Sequence, residues 1–358
     1  MDYASLGWND EFARHFAAYQ SEGHVAGRVT MEARNKFIVA TEAHGEVAAA
    51  VTGRMKHNAV TRGDLPVVGD WVVVSVTDGE TPRATIHAVL PRKSKFSRKT
   101  PGEAGGEQPV AANIDFAFLL TGLDGNYNVR RIERYLLQMH GSGARPVVLL
   151  TKADICPDVD ARLAEVAAVA GGASVHAIST LTGVGLAELA QYLRPGVTVA
   201  LLGSSGVGKS TLLNHLLGNE AMRTQSVRLE DSRGRHTTSH RQLFLLPSGA
   251  SLIDTPGMRE LQLWGVEEGL EGAFPEVETI ARGCRFADCQ HATEPGCAVQ
   301  VAMQTGELDR DRFANYQKMQ LELQHLAAKT DRLAEEAIAR KWKQISKYGK
   351  TLQKKGGR

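Results

Sequence analysis

Cysteine is scarce in this chain, four residues in 358, too few for the disulfide framework of a small secreted protein. Three of the four lie between positions 284 and 297 beside a histidine, which points to a metal site in a reducing compartment. Long apolar runs are also missing, and no uninterrupted stretch reaches the length of a membrane span. The opening residues, Met1 to Glu11, have neither a basic n-region nor an apolar h-region, so no secretory signal is read. A cytoplasmic location and no membrane partner are expected. An excess of charge is lacking as well: 42 Lys and Arg face 40 Asp and Glu, a net of +2, which by itself says little about partners. The distribution says more. Thr81 to Gly102 holds six Lys/Arg and no acid, and Ala339 to Arg358 holds eight and no acid, a pattern that favours a nucleic-acid partner.

The length and a 42% hydrophobic content suit two or three domains with cores of their own. Residues 1–24 carry Phe12, Phe16 and Tyr19 at helical spacing, which predicts a helical extension packed on a neighbour. Over 25–99 the texture changes to five short β-like runs, at 25–29, 36–40, 46–51, 71–76 and 84–90, punctuated by Gly and Asp. These suit an OB-type barrel, and Arg54, Lys56, Arg62 and the basic run Arg92 to Lys99 favour RNA contact over a mere spacer. Thr100 to Pro109 reads as a Gly/Glu/Pro-rich linker. Beyond it, apolar strands at 114–121, 146–150 and 174–178 alternate with helices at 129–141, 159–170 and 186–193, the pattern of a doubly wound parallel sheet. Residues 100–278 are assigned to this nucleotide domain and 279–358 to a metal-binding, mainly helical domain with a basic tail.

The most specific run is Gly203-Ser204-Ser205-Gly206-Val207-Gly208-Lys209-Ser210-Thr211. It fits G-x-x-x-x-G-K-[ST] between a strand at 197–202 and a helix from 212, the context a P-loop needs. Glycines let backbone N–H groups turn inward on an anion, Lys209 places a point charge on the β- and γ-phosphates, and the Ser210 hydroxyl can ligate Mg²⁺. A hairpin at 241–246 and 250–253 then delivers Asp254-Thr255-Pro256-Gly257, 44 residues after Ser210. In this D-x-x-G pattern Asp254 holds Mg²⁺ through water and the Gly257 N–H senses the γ-phosphate. Between them lies a polar segment, Ser232 to His240, with Thr237 and Thr238.

Upstream, Thr151-Lys152-Ala153-Asp154 ends an apolar strand. Alone it could be a helix start capped by Asp154. In company with the other motifs it matches the N/T-K-x-D guanine reader: the Asp154 carboxylate accepts from both N1–H and N2–H₂ of guanine, a donor pair adenine lacks. Lys152 lies along the base, and Ser179 matches the serine whose backbone meets the guanine oxygen. The reader precedes the P-loop, the order of a circularly permuted GTPase, which is acceptable because the same strands meet in space whichever connection is cut. Further on, Cys284, Cys289, His291 and Cys297 form C-x4-C-x-H-x5-C, a complete tetrahedral shell for one structural Zn²⁺.

The barrel pattern, the order Thr-Lys-Ala-Asp, Gly-Ser-Ser-Gly-Val-Gly-Lys-Ser, Gly-Arg-His-Thr-Thr and Asp-Thr-Pro-Gly, and the Cys/His cluster together resemble the RsgA family of small-ribosomal-subunit-dependent GTPases, over residues 25 to 300. The resemblance implies a late assembly factor of the 30S subunit that binds rRNA near the decoding region, has weak intrinsic GTPase activity, is stimulated by the subunit and leaves after hydrolysis. It implies a catalytic role for His236 beside Lys209, since Met258 stands where many GTPases have a water-orienting Gln. It also implies Mg²⁺ ligation by Ser210 and Thr238, with Thr237 as the alternative, and Asp254 through water. A monomer is expected. Two competing readings are an RNA-binding scaffold that nucleotide merely stabilises, and an ATP-dependent enzyme.

Overall fold

The computed structural model describes residues 2–33, 36–59, 61–77, 79–99, 107–218, 241–254, 273–292, 294–324 and 328. Strands β1 (Val25–Ala33), β2 (Lys36–Thr41), β3 (Gly45–Val51), β4 (Trp71–Thr77) and β5 (Arg83–Val89) match the five expected runs. They pair in the order β1-β2-β3-β5-β4, and β4 returns to β1 to close a barrel. The β3–β5 contact is parallel and the other pairs are antiparallel. Alternation explains the closure: in β3 the buried residues Val47, Ala49 and Val51 alternate with exposed ones, so one face fills the barrel and the other meets solvent.

The second sheet is assembled from β8 (Phe116–Gly122), β9 (Arg145–Thr151), β10 (Ser174–Ala177), β11 (Thr198–Leu202), β12 (Arg241–Leu245) and β13 (Ser251–Asp254). Its order is β10-β9-β8-β11-β13-β12, parallel except for the last strand. Near-continuous apolar sequence in β8, β9 and β11 is what strands buried on both faces require. The helices Val129–His140 and Val159–Val169 have side-chain N-caps, Asn128 and Asp158, which accept from the amides of Arg131 and Ala161. Leu186 to Leu193 differs from the expected helix: only the 3-10 segment Ala187–Gln191 forms.

Barrel and sheet share a strand. The first half of β1 pairs with β4, while Met31 and Glu32 further along it pair with Gln242 and Arg241 of β12. Arg241 Nη1 reinforces the register with Glu32 at 2.9 Å. One apolar cluster runs from the N-terminal helix (Asp10–Phe16), through Trp71 of the barrel, to Leu119, Val148 and Ile253 of the sheet. The expected N-terminal packing is thus found: Phe12 and Phe16 are buried, and Trp8 lies edge-on to Trp71 with centroids 4.7 Å apart. The expected linker is partly strand, because Glu107–Ala112 (β7) pairs with Lys95–Lys99 (β6).

At the seam lies Arg28, a guanidinium with 1% of its surface exposed. Nε donates to Gly69 O at 3.3 Å, Nη1 to Leu6 O, and Nη2 to Asn113 O at 3.4 Å and Thr198 Oγ1 at 2.8 Å. These acceptors belong to the barrel, the N-terminal segment, the connection into β8 and the strand that leads to the P-loop. Gly69 must be glycine, since its φ is +90° and a Cβ would sit 2.2 Å from Ala112 O. Replacing Arg28 by Met is expected to lower stability by roughly 1.5–3 kcal/mol, the range for hydrogen bonds to a charged group; the denaturant midpoint of the whole chain is the measurement.

Candidate nucleotide site and zinc centre

The P-loop turns out of β11 and runs into a helix over 209–218. Its geometry needs glycine at its first position: Gly203 has φ +136°, and a Cβ there would lie 2.4 Å from Leu120 O in the neighbouring strand. Val207 is buried as the plug beneath the turn, whereas Ser205, Gly206, Ser210 and Thr211 are exposed at its mouth. Lys209 Nζ reaches back over the loop and donates to Gly203 O at 2.7 Å and Ser204 O at 2.6 Å. Gly208 lies at φ +99° just before it.

The reader loop comes from β9, two strands away from β11 with β8 between them. Thr151 is buried, and its hydroxyl donates to Val207 O of the P-loop at 2.7 Å. This hydroxyl links the loop that follows β9 to the P-loop. Lys152 follows in the left-handed region, φ +61°, which directs its ammonium across the mouth to Asp124 Oδ2 at 2.5 Å. The Lys152 hydrogen bond holds the Asp124 carboxyl below the usual carboxylate range. Asp154 is exposed on the short 3-10 turn Ala153–Ile155. Ala153 N donates to Ile178 O at 3.1 Å, which ties this turn to the loop of Ser179. Ser179 is buried, its N–H bonded to Val184 O at 2.9 Å and its hydroxyl accepting from Thr182 N at 3.2 Å.

Asp254 ends β13 in register with Leu201 of β11, one strand over from the start of the P-loop. The described fold therefore brings together Thr151, Lys152, Asp154, Ser179, residues 203–211 and Asp254. His236, Thr237, Thr238, Gly257 and Met258 lie outside the described residues, as does the basic tail from Ala339. Two cations of the basic run at the barrel's exit are ion-paired. Arg92 makes a two-pronged bond to fully buried Asp70, both contacts 2.7 Å, and Lys93 Nζ bonds Asp115 at 2.6 Å. Both cations therefore have carboxylate partners within the fold.

In the C-terminal unit, Cys284, Cys289, His291 and Cys297 place their ligand atoms within 4.8 Å of one another. Cys284 Sγ and Cys297 Sγ are 3.9 Å apart, and His291 Nδ1 is 3.5 and 3.4 Å from them. Tetrahedral Zn²⁺ with bonds of about 2.3 Å to sulfur and 2.0–2.1 Å to nitrogen sets ligand separations of roughly 3.5–3.8 Å. The cluster fits a structural zinc. Supporting bonds fix the loop: Gln300 Nε2 donates to His291 O at 2.6 Å, and the Glu294 carboxylate accepts from the amides of Gln290 and Ala292.

Comparison with known proteins agrees with this geometry. The RsgA GTPase family model matches residues 89–264. "Small ribosomal subunit biogenesis GTPase RsgA" from Opitutus terrae is 47% identical over 353 residues, 96% of each chain. The protein of the same name from Syntrophotalea carbinolica is 42% identical over 365 residues, 100% of this chain and 99% of its own. The chain belongs to the RsgA GTPase family. Among solved structures, this RsgA-family chain is similar to YjeQ from Thermotoga maritima, with a TM-score of 0.61 and 28% identity over 84% of this chain and 98% of that one. YloQ, described as a circularly permuted GTPase, shares the fold at a TM-score of 0.59 and 24% identity, over 86% and 96% of the two chains. An ABC transporter model matches residues 186–347. That span includes the P-loop and omits residues 151–154.

Two changes probe these sites. Thr151→Val leaves the Val207 carbonyl without its donor, a loss of about 1–3 kcal/mol, so GDP affinity is expected to fall by about 5- to 150-fold, with Thr151→Ser close to wild type; titration with a fluorescent GDP analogue measures it. Cys284→Ser is expected to abolish the bound zinc, read by elemental analysis, and to lower the melting temperature.

Proposed function

We propose that this chain is a GTP hydrolase acting in biogenesis of the small ribosomal subunit. The observation that carries this is the joining of two sequence-distant loops, the Thr151 hydroxyl on the Val207 carbonyl at 2.7 Å, which sets a guanine reader beside a phosphate cradle although the reader comes first in the chain. The strand order is that of a permuted GTPase and the relatives carry that function in their names.

In this reading Asp154 accepts the two guanine donors, Lys152 flanks the base and the backbone of Ser179 meets its oxygen. The P-loop amides and Lys209 neutralise charge that builds on the phosphates during transfer. Lys209 leaves the carbonyls of Gly203 and Ser204 for the stronger, charge-assisted phosphate contact. Mg²⁺ supplies further neutralisation when bound; Ser210 and Thr238 would hold it directly and Asp254 through water. Gly257 senses the γ-phosphate and His236 orients the attacking water. The zinc cluster, with no open coordination position, is structural and shapes the C-terminal unit for its partner. The partner is the small subunit and its rRNA, met by the barrel and the basic tail, with the protein acting as a cytoplasmic monomer.

The test is GTP turnover with and without isolated small ribosomal subunits. Turnover is expected to rise when subunits are added, and Asp154→Asn to weaken GDP while leaving ADP as weak as before. Equal affinity of the wild type for GDP and ADP would exclude the guanine reading. Turnover indifferent to subunits would exclude the ribosomal one and favour the RNA scaffold.

A further inference from the structure

The helix Val129–His140 has two sets of contacts. Arg130, Glu133, Arg134 and Leu137 fall at helical spacing and form one stripe, and that stripe meets the C-terminal unit. Glu133 has no exposed side-chain surface. Its carboxylate accepts from Arg130 Nη1 at 3.0 Å, from Arg312 Nη1 and from Asn315 Nδ2 at 2.5 Å. Arg312 also donates to Glu276 at 2.6 Å and to Ala273 O at 2.8 Å, with its guanidinium 4.1 Å from the centre of the Phe274 ring. Arg130 bonds Asp309 at 3.1 Å, Arg134 bonds Glu322 at 2.6 Å, and Leu137 is buried in the apolar cluster of the zinc-site unit. Breaking a buried pair such as Glu133–Arg312 leaves a charge uncompensated, which is strongly unfavourable. The helix is therefore held firmly against that unit.

Arg131, between two of these residues, turns the other way. Its Nη1 is 3.5 Å from Ser204 Oγ, the second residue of the P-loop, and the carbonyl of the same Ser204 accepts from Lys209 at 2.6 Å. Guanidinium and ammonium thus converge on one residue of the phosphate cradle, the first at its hydroxyl and the second at its carbonyl. The Arg131–Ser204 distance is at the outer limit of a hydrogen bond, so the contact orients the loop by charge on dipole more than it locks it. A guanidinium there adds positive potential where negative charge shifts during phosphoryl transfer.

We propose that Arg131 is a positioning residue of the phosphate site, acting through Ser204, and that the zinc-site unit sets its placement through the Glu133–Arg312 contact on the same helix. The inference rests on the P-loop being a GTP-hydrolysing site. The experiment uses the full chain with Mg²⁺ and small subunits, and reads single-turnover hydrolysis and GDP affinity separately. Arg131→Ala is expected to slow hydrolysis about tenfold or more, well short of a true arginine finger, with GDP affinity within about twofold and with part of the rate recovered by Arg131→Lys. Asp309→Asn with Glu322→Gln loosens the zinc-site contact without touching buried Glu133, and is expected to slow hydrolysis about two- to fivefold, the size two exposed ion pairs allow. That loss is expected to vanish in the Arg131→Ala background. Wild-type hydrolysis in Arg131→Ala, a parallel loss of rate and GDP affinity, or a zinc-side effect of equal size in both backgrounds would overturn the proposal. A wild-type chain that binds GDP but hydrolyses no GTP would instead overturn the functional reading on which it rests.

Discussion

A buried guanidinium is costly unless its donors find acceptors, and Arg28 finds them in four separate parts of the chain. Burial pushes its pKa down to about 10, against the opposing pull of Asp115 and Asp70, so it stays charged at neutral pH and its donors stay committed. Its acceptors are carbonyls and one hydroxyl, with the Trp71 ring 5.7 Å away. None of these neutralises it alone; the acids lie in a surrounding layer, Asp70 bonded to Arg92 and Asp115 to Lys93 and to the Thr198 amide. The barrel, the N-terminal segment and the strand into the P-loop are in register because this one charge has no alternative place to go.

From that seam the nucleotide site is built by short links between loops. Thr151 joins its loop to the P-loop, Ala153 N joins the same loop to the one that carries Ser179, and Lys152 lies on Asp124 just after β8. Each link is local in space and remote in sequence. Circular permutation leaves them intact because they depend on the ends of neighbouring parallel strands and not on which strand is synthesised first. Ligand sites at the carboxyl ends of such strands follow the general rule for open α/β sheets.

The sequence was most informative where chemistry requires a fixed spacing. The P-loop, the Cys/His cluster and the five alternating barrel strands could be read directly, since glycine turns, thiolate spacing and period-two burial each leave few alternatives, whereas the Thr-Lys-Ala-Asp run took its meaning only from the motifs around it. Less legible were contacts set by packing. The ion pairs of Arg92 and Lys93 could not be read, because Asp70 and Asp115, their partners, stand 22 residues away along the chain in each case. Asp124 sits in a Gly-rich loop with no motif around it, and Glu133 is one charge among several on a helix whose stripe gains meaning only when Arg312 arrives 179 residues later. Glu107–Pro109 had linker composition, yet pairing with β6 overrode it.

The strand shared by barrel and sheet has a further consequence. Because Met31 and Glu32 of β1 pair with Gln242 and Arg241 of β12, the barrel caps the beginning of the strand that borders the nucleotide sheet on that side. A GTPase core cut away from its barrel would present the backbone donors and acceptors of β12 as a bare edge, a template for pairing with another chain. The barrel thus protects part of an edge as well as forming a module of its own, and dividing the two halves would expose backbone that invites self-association.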